Sequence, residues 1–478
     1  MVSSTNKPHA LLVTYPLQGH IIPSVHLAMK LASKGVVVTF VNTEAVHRQT
    51  STANGSGSDP FAAARSEGLD VRYELVSDGL PVDFDRSLNH DEFMGSLLRN
   101  MSAQVEPLAR RLLHAEPPIS CLIADTFFVW PSALAKRLGI LYVSFWTEPA
   151  LVFTLYYHLD LLIKNGHFAS SVGPSRKDKI TYIPGVDAIE PSDLMSYLQE
   201  TDATSVCHQI IFRAFEDAKG ADCVLCNTVQ ELERGTISAL QQRKPFYAVG
   251  PIFPAGFARS AVATSLWAES DCSQWLGSRP AGSVLYVSFG SYAHVSKGEL
   301  EEVACGVRDS GASFVWVLRP DIVSSDEPDP LPAGFAEDTR GRGVVVPWCC
   351  QVEVLSHEAT GGFLTHCGWN SILESVWSGV PLLCFPLLTD QFTNRKLVVK
   401  DWRVGIDLGG TGTGVRRGDV KEKIGRLMTG EEGRRMREGV KELRRVLESA
   451  TSAGGSSVNN FDTFVADLMK HNSTRQAN

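Results

Sequence analysis

Between Trp348 and Gln391 lies the chain's densest set of side chains able to hold a charged ligand. GFLTH, at 362–366, reads as a buried strand with His366 at its carboxyl end; Cys367-Gly368-Trp369 reads as a turn and Asn370-Ser371 as the opening of a helix. In open α/β sheets, ligands sit outside the carboxyl ends of strands. Free N–H groups and the positive end of a helix favour phosphate there. His366, Gly368, Asn370 and Ser371 therefore bracket a candidate pyrophosphate site, and Ser291 occupies an equivalent turn after another apolar strand. Glu374, one turn into the helix, admits two readings. Its carboxylate could take two ribose hydroxyls, or Ser371-Ile372-Leu373-Glu374 could be a capping box, which the spacing by itself favours. Trp348 could stack on a base or belong to the core. Asp390 and Gln391 follow a strand and could bind hydroxyls or simply turn the chain.

The N-terminal half offers a base. His20 follows the first apolar strand, at the start of a helix, and faces an interdomain cleft if two sheets oppose one another. Imidazole is the side chain whose ordinary titration lies nearest neutral pH, which suits a general base. The plainer reading is a polar histidine at a helix start. Asp125 also follows an apolar strand, CLIA at 121–124. Cys223 and Cys226 make a C-x-x-C inside DCVLCNT, which reads as a strand. Residues three apart on a strand point to opposite faces, so this pair cannot chelate one ion.

The elements that must position these groups repeat a pattern. His9–Tyr15 is an apolar strand and Pro16–Gly19 a turn. A helix follows with Ile21, Val25, Ala28, Met29 and Ala32 at 3.6-residue spacing, then Gly35 as its terminator and a strand at Val36–Val41. Strand, helix, strand implies a parallel sheet covered on both faces. The pattern restarts with strands at 283–289 and 313–318 around a helix at Glu299–Asp309. Strands at 343–346, 362–366 and 381–385 continue it, with a helix at Ser371–Ser378. Residues 51–60 and 320–330 read as loops, and 251–265 as a linker. The basic stretch Arg416–Arg445 is interleaved with glutamates and reads as a solvated helical surface.

The chain's 478 residues imply two or three domains. With 44% hydrophobic and 21% charged residues it reads as a globular protein, and a net charge of −8 leaves no electrostatic footprint for nucleic acid or an anionic membrane. The first residues carry one Lys and a short apolar run before Pro16, unlike a signal peptide. No stretch approaches the roughly 18 apolar residues of a membrane span. A cytoplasmic monomer is expected.

The segment from Trp348 to Gln391 resembles the donor-binding signature of plant family-1 UDP-glycosyltransferases, with W..QVEVLSH, GGF.THCGWNS, ES, GVP and DQ in that order. The likeness extends to QGHIIP at 18–23, FVNTE at 40–44, IADTFFVW at 123–130 and NTVQELE at 227–233, and so spans nearly the whole chain. It implies an α/β GT-B fold: two Rossmann-like, doubly wound parallel-sheet domains facing a cleft. Residues 1–250 would bind the acceptor, 251–280 link the domains, 281–455 bind the UDP-sugar, and a helix in 456–478 pack back on the first domain. The resemblance further implies that Trp348 stacks on uracil with Gln351 beside base and ribose, and that Glu374 takes the ribose, against the capping box. His366, Asn370, Ser371 and Ser291 would hold the phosphates, and Trp369, Asp390 and Gln391 the sugar. An amide such as that of Gln391 offers both a donor and an acceptor. His20 would be the general base, paired with Asp125, in an inverting displacement that needs no cofactor beyond the UDP-sugar and no metal. Cys349-Cys350 replace the family's usual Ala-Pro, and Ile372 a common Thr.

Asp83-Phe84-Asp85 is the D-x-D that metal-dependent glycosyltransferases use, but no other ligand set accompanies it. Aromatic density in the first half, at Phe127, Phe128, Trp130, Phe145, Trp146, Phe153, Tyr156 and Tyr157, reads as part core and part apolar pocket for a small phenolic or terpenoid acceptor. A nucleotide-dependent oxidoreductase shares the α/β pattern, but no G-x-G-x-x-G follows any strand. A catalytically weak UDP-sugar-binding protein could keep the donor signature, but would have no use for His20 and Asp125 together.

Overall fold

The structure, a computed structural model, describes residues 7–477 except 56–58, 170–174, 258–261, 263, 324–329 and 413. Parts of the loops expected at 51–60 and 320–330, and of the linker at 251–265, lie outside the described residues. Thirteen strands among the described residues form two parallel sheets. The first holds β1 (His9–Val13), β2 (Val37–Thr43), β3 (Val71–Val76), β4 (Cys121–Asp125), β5 (Leu141–Trp146), β6 (Cys223–Cys226) and β7 (Phe246–Ala248), in the order β3-β2-β1-β4-β5-β6-β7. The second holds β8 (Val284–Ser288), β9 (Ser313–Val317), β10 (Gly343–Val346), β11 (Thr360–Thr365), β12 (Leu382–Cys384) and β13 (Gly405–Asp407), in the order β10-β9-β8-β11-β12-β13.

In each sheet the order reverses beside the first strand, between β1 and β4 and between β8 and β11. Such switch points open crevices at the carboxyl ends of the strands. His20 and Asp125 stand at the first crevice; Ser291 and His366 stand at the second. Near-continuous burial of β1, β2, β4, β8 and β11 reflects helices on both faces. Cys223 and Cys226 pack against different core clusters on opposite faces of the first sheet, as strand alternation requires.

The helix Gln18–Ser33 ends with Gly35 at φ 84°, a left-handed position that glycine occupies without strain. The helix Glu44–Asn54 runs into the stretch read as a loop from its small polar composition. Thr43 caps its start, its hydroxyl accepting from the Val46 N–H at 3.3 Å, and propagation carries the polar residues along. The basic stretch forms two helices, Arg417–Met428 and Glu431–Thr451, whose charges pair one turn apart, as in Arg444–Glu448.

The last helix, Ser456–Ala477, crosses back to the first sheet. Phe461, Phe464, Val465 and Leu468 join the core beside Ala10, Leu12, Ile21 and Val25. Arg475 donates to the Ile119 carbonyl at 2.6 Å, and Lys34 pairs with Asp462 at 2.6 Å. Among the described residues, no helix is long and apolar enough to cross a membrane.

Candidate functional site

The carboxyl ends of the two sheets meet across a cleft of about 440 Å³. Gln18, His20, Thr147 and Glu148 line it from one side. Ser291, Trp348, Cys349, Gln351, His366, Gly368, Trp369, Asn370, Ser371, Glu374 and Asp390 line it from the other. An adjoining recess of about 200 Å³ opens toward Tyr15, Met94, Phe127, Tyr156, Tyr197 and Ile210, with Gln391 at its rim.

His20 occupies the first turn of its helix. Its Nδ1 lies 2.7 Å from Asp125 Oδ2 and 3.0 Å from Thr147 Oγ1. Asp125 is 1% exposed, and its other oxygen accepts the Phe127 N–H at 3.0 Å. A carboxylate can only accept, so Nδ1 carries the proton and Nε2 is left as the basic nitrogen. Phe127 stands edge-on to the imidazole, with ring centroids 5.7 Å apart.

Pro23 has a distinct use in this helix. It lacks the N–H that would bond the Gly19 carbonyl one turn back. That carbonyl instead accepts from Asn370 Nδ2 of the second domain at 2.7 Å. Asn370 also meets Asn227 Nδ2 at 3.3 Å, and the Trp369 indole N–H donates to the Asn227 carbonyl at 2.7 Å. These contacts lock the helix Trp369–Ser378 onto the His20 helix. They also show that Asn370 and Trp369, expected at phosphate and sugar, bridge the domains with their polar side-chain atoms. Glu233 of NTVQELE accepts the N–H groups of Ala150 and Leu151 at 3.0 and 2.7 Å, fixing the segment that carries Thr147 and Glu148.

On the second domain, the helix Trp369–Ser378 opens at Gly368 with no side-chain cap, leaving its positive end toward the cleft. The capping box is therefore not formed. The helix starts two residues before Ser371, so Ser371 and Glu374 lie inside it. Gln351 Nε2 instead joins them, donating to Glu374 Oε2 at 2.7 Å and Ser371 Oγ at 2.9 Å. Burial pushes the Glu374 carboxyl up to about 7, against the opposing bond from Gln351. Burial, then the Arg319 guanidinium, hold the His366 imidazole at about 4, so it is neutral at physiological pH. Its ring lies against Gly290 and Gly368, where an added Cβ on either would overlap it; Gly290 also has φ 74°. Trp348 lines the cleft and stacks on Trp267, with centroids 4.8 Å apart. Cys349 is buried against the Tyr286 hydroxyl at 3.8 Å.

Arg319 was not legible as a site residue. It is 1% exposed, and its guanidinium donates to the carbonyls of Gly290 and Ala293 and to Asp321. It thus holds the turn that carries Ser291 and places a buried positive charge behind it. Its signal was a charged residue at the carboxyl end of the apolar run SFVWVL.

Asp390 is pushed up to about 6 by burial, with Asn394 and Thr389 bonds opposing. Gln391 Oε1 accepts the Leu387 and Leu388 N–H groups at 2.8 and 3.0 Å. Its amide therefore offers a ligand the Nε2 donor and not the donor–acceptor pair that sequence suggests. Of the eight aromatic residues read as core or acceptor pocket, Phe127 and Tyr156 line the recess. Phe128 turns under Tyr15 and Trp130, Phe145 joins the core cluster of β1 and β2, and Trp146 donates its indole N–H to the Pro149 carbonyl at 2.9 Å. Glu148, also missed, lines both cleft and recess. The Asp83–Asp85 triplet is engaged elsewhere: Asp83 pairs with Arg48 and Asp85 caps a turn at Ser87. Among the described residues, no three His, Cys, Asp or Glu side chains form a group that could hold a metal ion.

Residues 266–409 match the family described as UDP-glucoronosyl and UDP-glucosyl transferase. The chain is 56% identical to UDP-glycosyltransferase 86A1 of Arabidopsis thaliana, over 100% of this chain and 97% of that protein. Among solved structures, Os79 from O. sativa in complex with UDP aligns with a TM-score of 0.83 and 26% identity, over 96% of this chain and 100% of that one. Phytolacca americana UGT2, complexed with UDP-2fluoro-glucose and pterostilbene, aligns with a TM-score of 0.76 and 28% identity, over 97% and 99%.

Proposed function

The chain belongs to the plant UDP-glycosyltransferases, has their GT-B fold and takes a UDP-sugar as co-substrate, and from that premise we propose that it transfers glucose, with inversion, to a small lipophilic phenol or terpenoid, with His20 as general base. The 2.7 Å contact between His20 Nδ1 and Asp125 carries this reading. It orients Nε2 to take the acceptor proton, and the Asp125 carboxylate stabilises the imidazolium that forms. The acceptor oxygen then bonds to the anomeric carbon as the bond from that carbon to the UDP oxygen breaks on the opposite face.

The departing diphosphate meets the open end of the Trp369–Ser378 helix, Ser371 and neutral His366, with Arg319 fixing the Ser291 turn behind them. These preorganised donors serve in place of a metal ion. Trp348 and Gln351 receive the base, Glu374 the ribose, and Asp390 and Gln391 the sugar. Residues 1–250 supply the acceptor side and 281–455 the donor side, joined by 251–280. Glucose is supported by the UDP-2fluoro-glucose held by the Phytolacca americana relative. Each chain carries both halves of the cleft, so a monomer suffices for the reaction. Its ten cysteines, none joined in a disulfide among the described residues, suit the reducing cytosol.

Incubation with UDP-glucose and a panel of phenols and terpenoid alcohols tests this. UDP release should rise with an acceptor present, and a product heavier by one hexose should appear. No acceptor raising UDP release above the acceptor-free rate would overturn it.

A further inference from the structure

The recess beside His20 is mainly apolar: Leu17, Met94, Phe127, Ile210, Ile211 and Leu388 make much of its wall. Several of its polar groups are already partnered. Tyr15 Oη reaches Met94 Sδ at 3.3 Å, His90 bonds Tyr292 and Cys207, and the Gln391 carbonyl is held by backbone. Others are not: Glu148 Oε2 and Tyr156 Oη, on two residues that line this recess, are buried without a hydrogen-bond partner, as is His366 Nδ1 on the donor side. Glu148 is 8% exposed and Tyr156 1%. A buried carboxyl and phenol left open in an apolar wall are costly unless something that enters satisfies them.

Resting on the glycosyltransferase reading, we propose that Glu148 and Tyr156 determine acceptor specificity, together binding a second hydroxyl or carbonyl of a lipophilic acceptor whose reacting hydroxyl faces His20. Three observations support the acceptor side over the sugar. Tyr156 lines the recess and not the donor cleft. The charge of the Glu148 carboxyl, ahead of those of Tyr197 and Asp390, acts on the Tyr156 phenol. Glu148 also follows Thr147, whose hydroxyl already meets His20, so the segment fixed by Glu233 delivers both residues beside the reacting hydroxyl. Burial, then the carboxylates of Asp390 and Asp125, push the Glu148 carboxyl well above the usual range. That shift favours the protonated form, and a protonated carboxyl can donate as well as accept, and so can match either a hydroxyl or a carbonyl.

Matched acceptors test this: 4,4′-dihydroxystilbene against 4-hydroxystilbene, and p-menthane-3,8-diol against menthol. Wild type should favour the dihydroxy member of at least one pair by roughly 10- to 100-fold in kcat/KM, beyond the factor of about two from having two reactive sites. Glu148→Leu and Tyr156→Phe should each collapse that ratio with KM for UDP-glucose unchanged; Glu148→Gln, which still donates and accepts, should keep most of it. An active wild type without the preference overturns the proposal. So do unchanged ratios in Tyr156→Phe and Glu148→Leu. A changed UDP-glucose to UDP-galactose ratio with the acceptor ratio intact would assign Glu148 to the sugar instead. A wild type that transfers to no acceptor overturns the preceding reading itself, and this one with it.

Discussion

Replacing Glu374 with Gln should make the empty protein more stable and its grip on UDP weaker, two effects of opposite sign from one atom. Burial raises this carboxyl from 4.5 to about 7. A carboxyl raised in the folded state stabilises most below its unfolded value, and that contribution is lost as pH rises through the folded value. The shift is worth about 3 kcal/mol at about 1.4 kcal/mol per unit. Wild type should therefore lose up to about that much, relative to the Gln variant, as pH rises from about 4.5 to 7. The Gln351 amide can still donate to the carbonyl oxygen of the substituted side chain, so the variant keeps the contact that orients Ser371. Ribose hydroxyls lose a charged acceptor, which should weaken UDP by about 1–3 kcal/mol, or roughly 5- to 150-fold. Denaturant unfolding of the empty proteins at pH 5 and 8, with calorimetric titration of UDP at pH 8, measures both. Equal UDP affinity, or a variant less stable than wild type at pH 8, would overturn this prediction.

Three other substitutions probe the remaining parts. Gln391→His should lower kcat/KM for UDP-glucose more than for UDP-galactose, since it replaces the Nε2 donor proposed to meet the sugar; initial rates with both donors at one acceptor concentration check it. Arg319→Met should weaken UDP by about 1.5–3 kcal/mol while uridine binding changes less, because the guanidinium holds the Ser291 turn proposed to meet the phosphates; paired titrations of the two ligands separate these. Phe464→Ala should cost about 3–5 kcal/mol of stability as a buried ring lost from the first domain's core, with kcat/KM of the folded fraction unchanged in initial-rate assays.

The second domain's wall of the cleft was readable because it is nearly contiguous. A strand, a glycine turn and a helix place His366, Gly368 and Ser371 together through local geometry alone. Glu374 was ambiguous from spacing, since S-x-x-E fits a cap, and only the helix start at Trp369 decides. The acceptor recess was poorly readable for a physical reason. Tyr15, Met94, Tyr156, Tyr197 and Ile210 come from separate segments, and hydrophobicity cannot tell a pocket wall from a core. Phe145 and Trp146 are aromatic because they fill the sheet's faces, not because a ligand meets them. Glu148 did carry a signal, a lone acid within the apolar run LYVSFWTEPALVF, but its significance depends on the absence of a partner that only three dimensions reveal. The role of Pro23 was equally hidden, for the carbonyl it frees is taken by a residue of the other domain.

The account stands most directly on His20 as the base. Single-turnover transfer from UDP-glucose to an acceptor bearing an unactivated hydroxyl, compared between wild type and His20→Ala, isolates the chemical step. A positioned base is worth roughly 10²–10⁴-fold, so the variant should be slower by that factor while calorimetry gives the same UDP affinity. A rate within a few-fold of wild type would contradict the account, and an acidic phenol is the wrong acceptor for the test because it sheds its proton unaided.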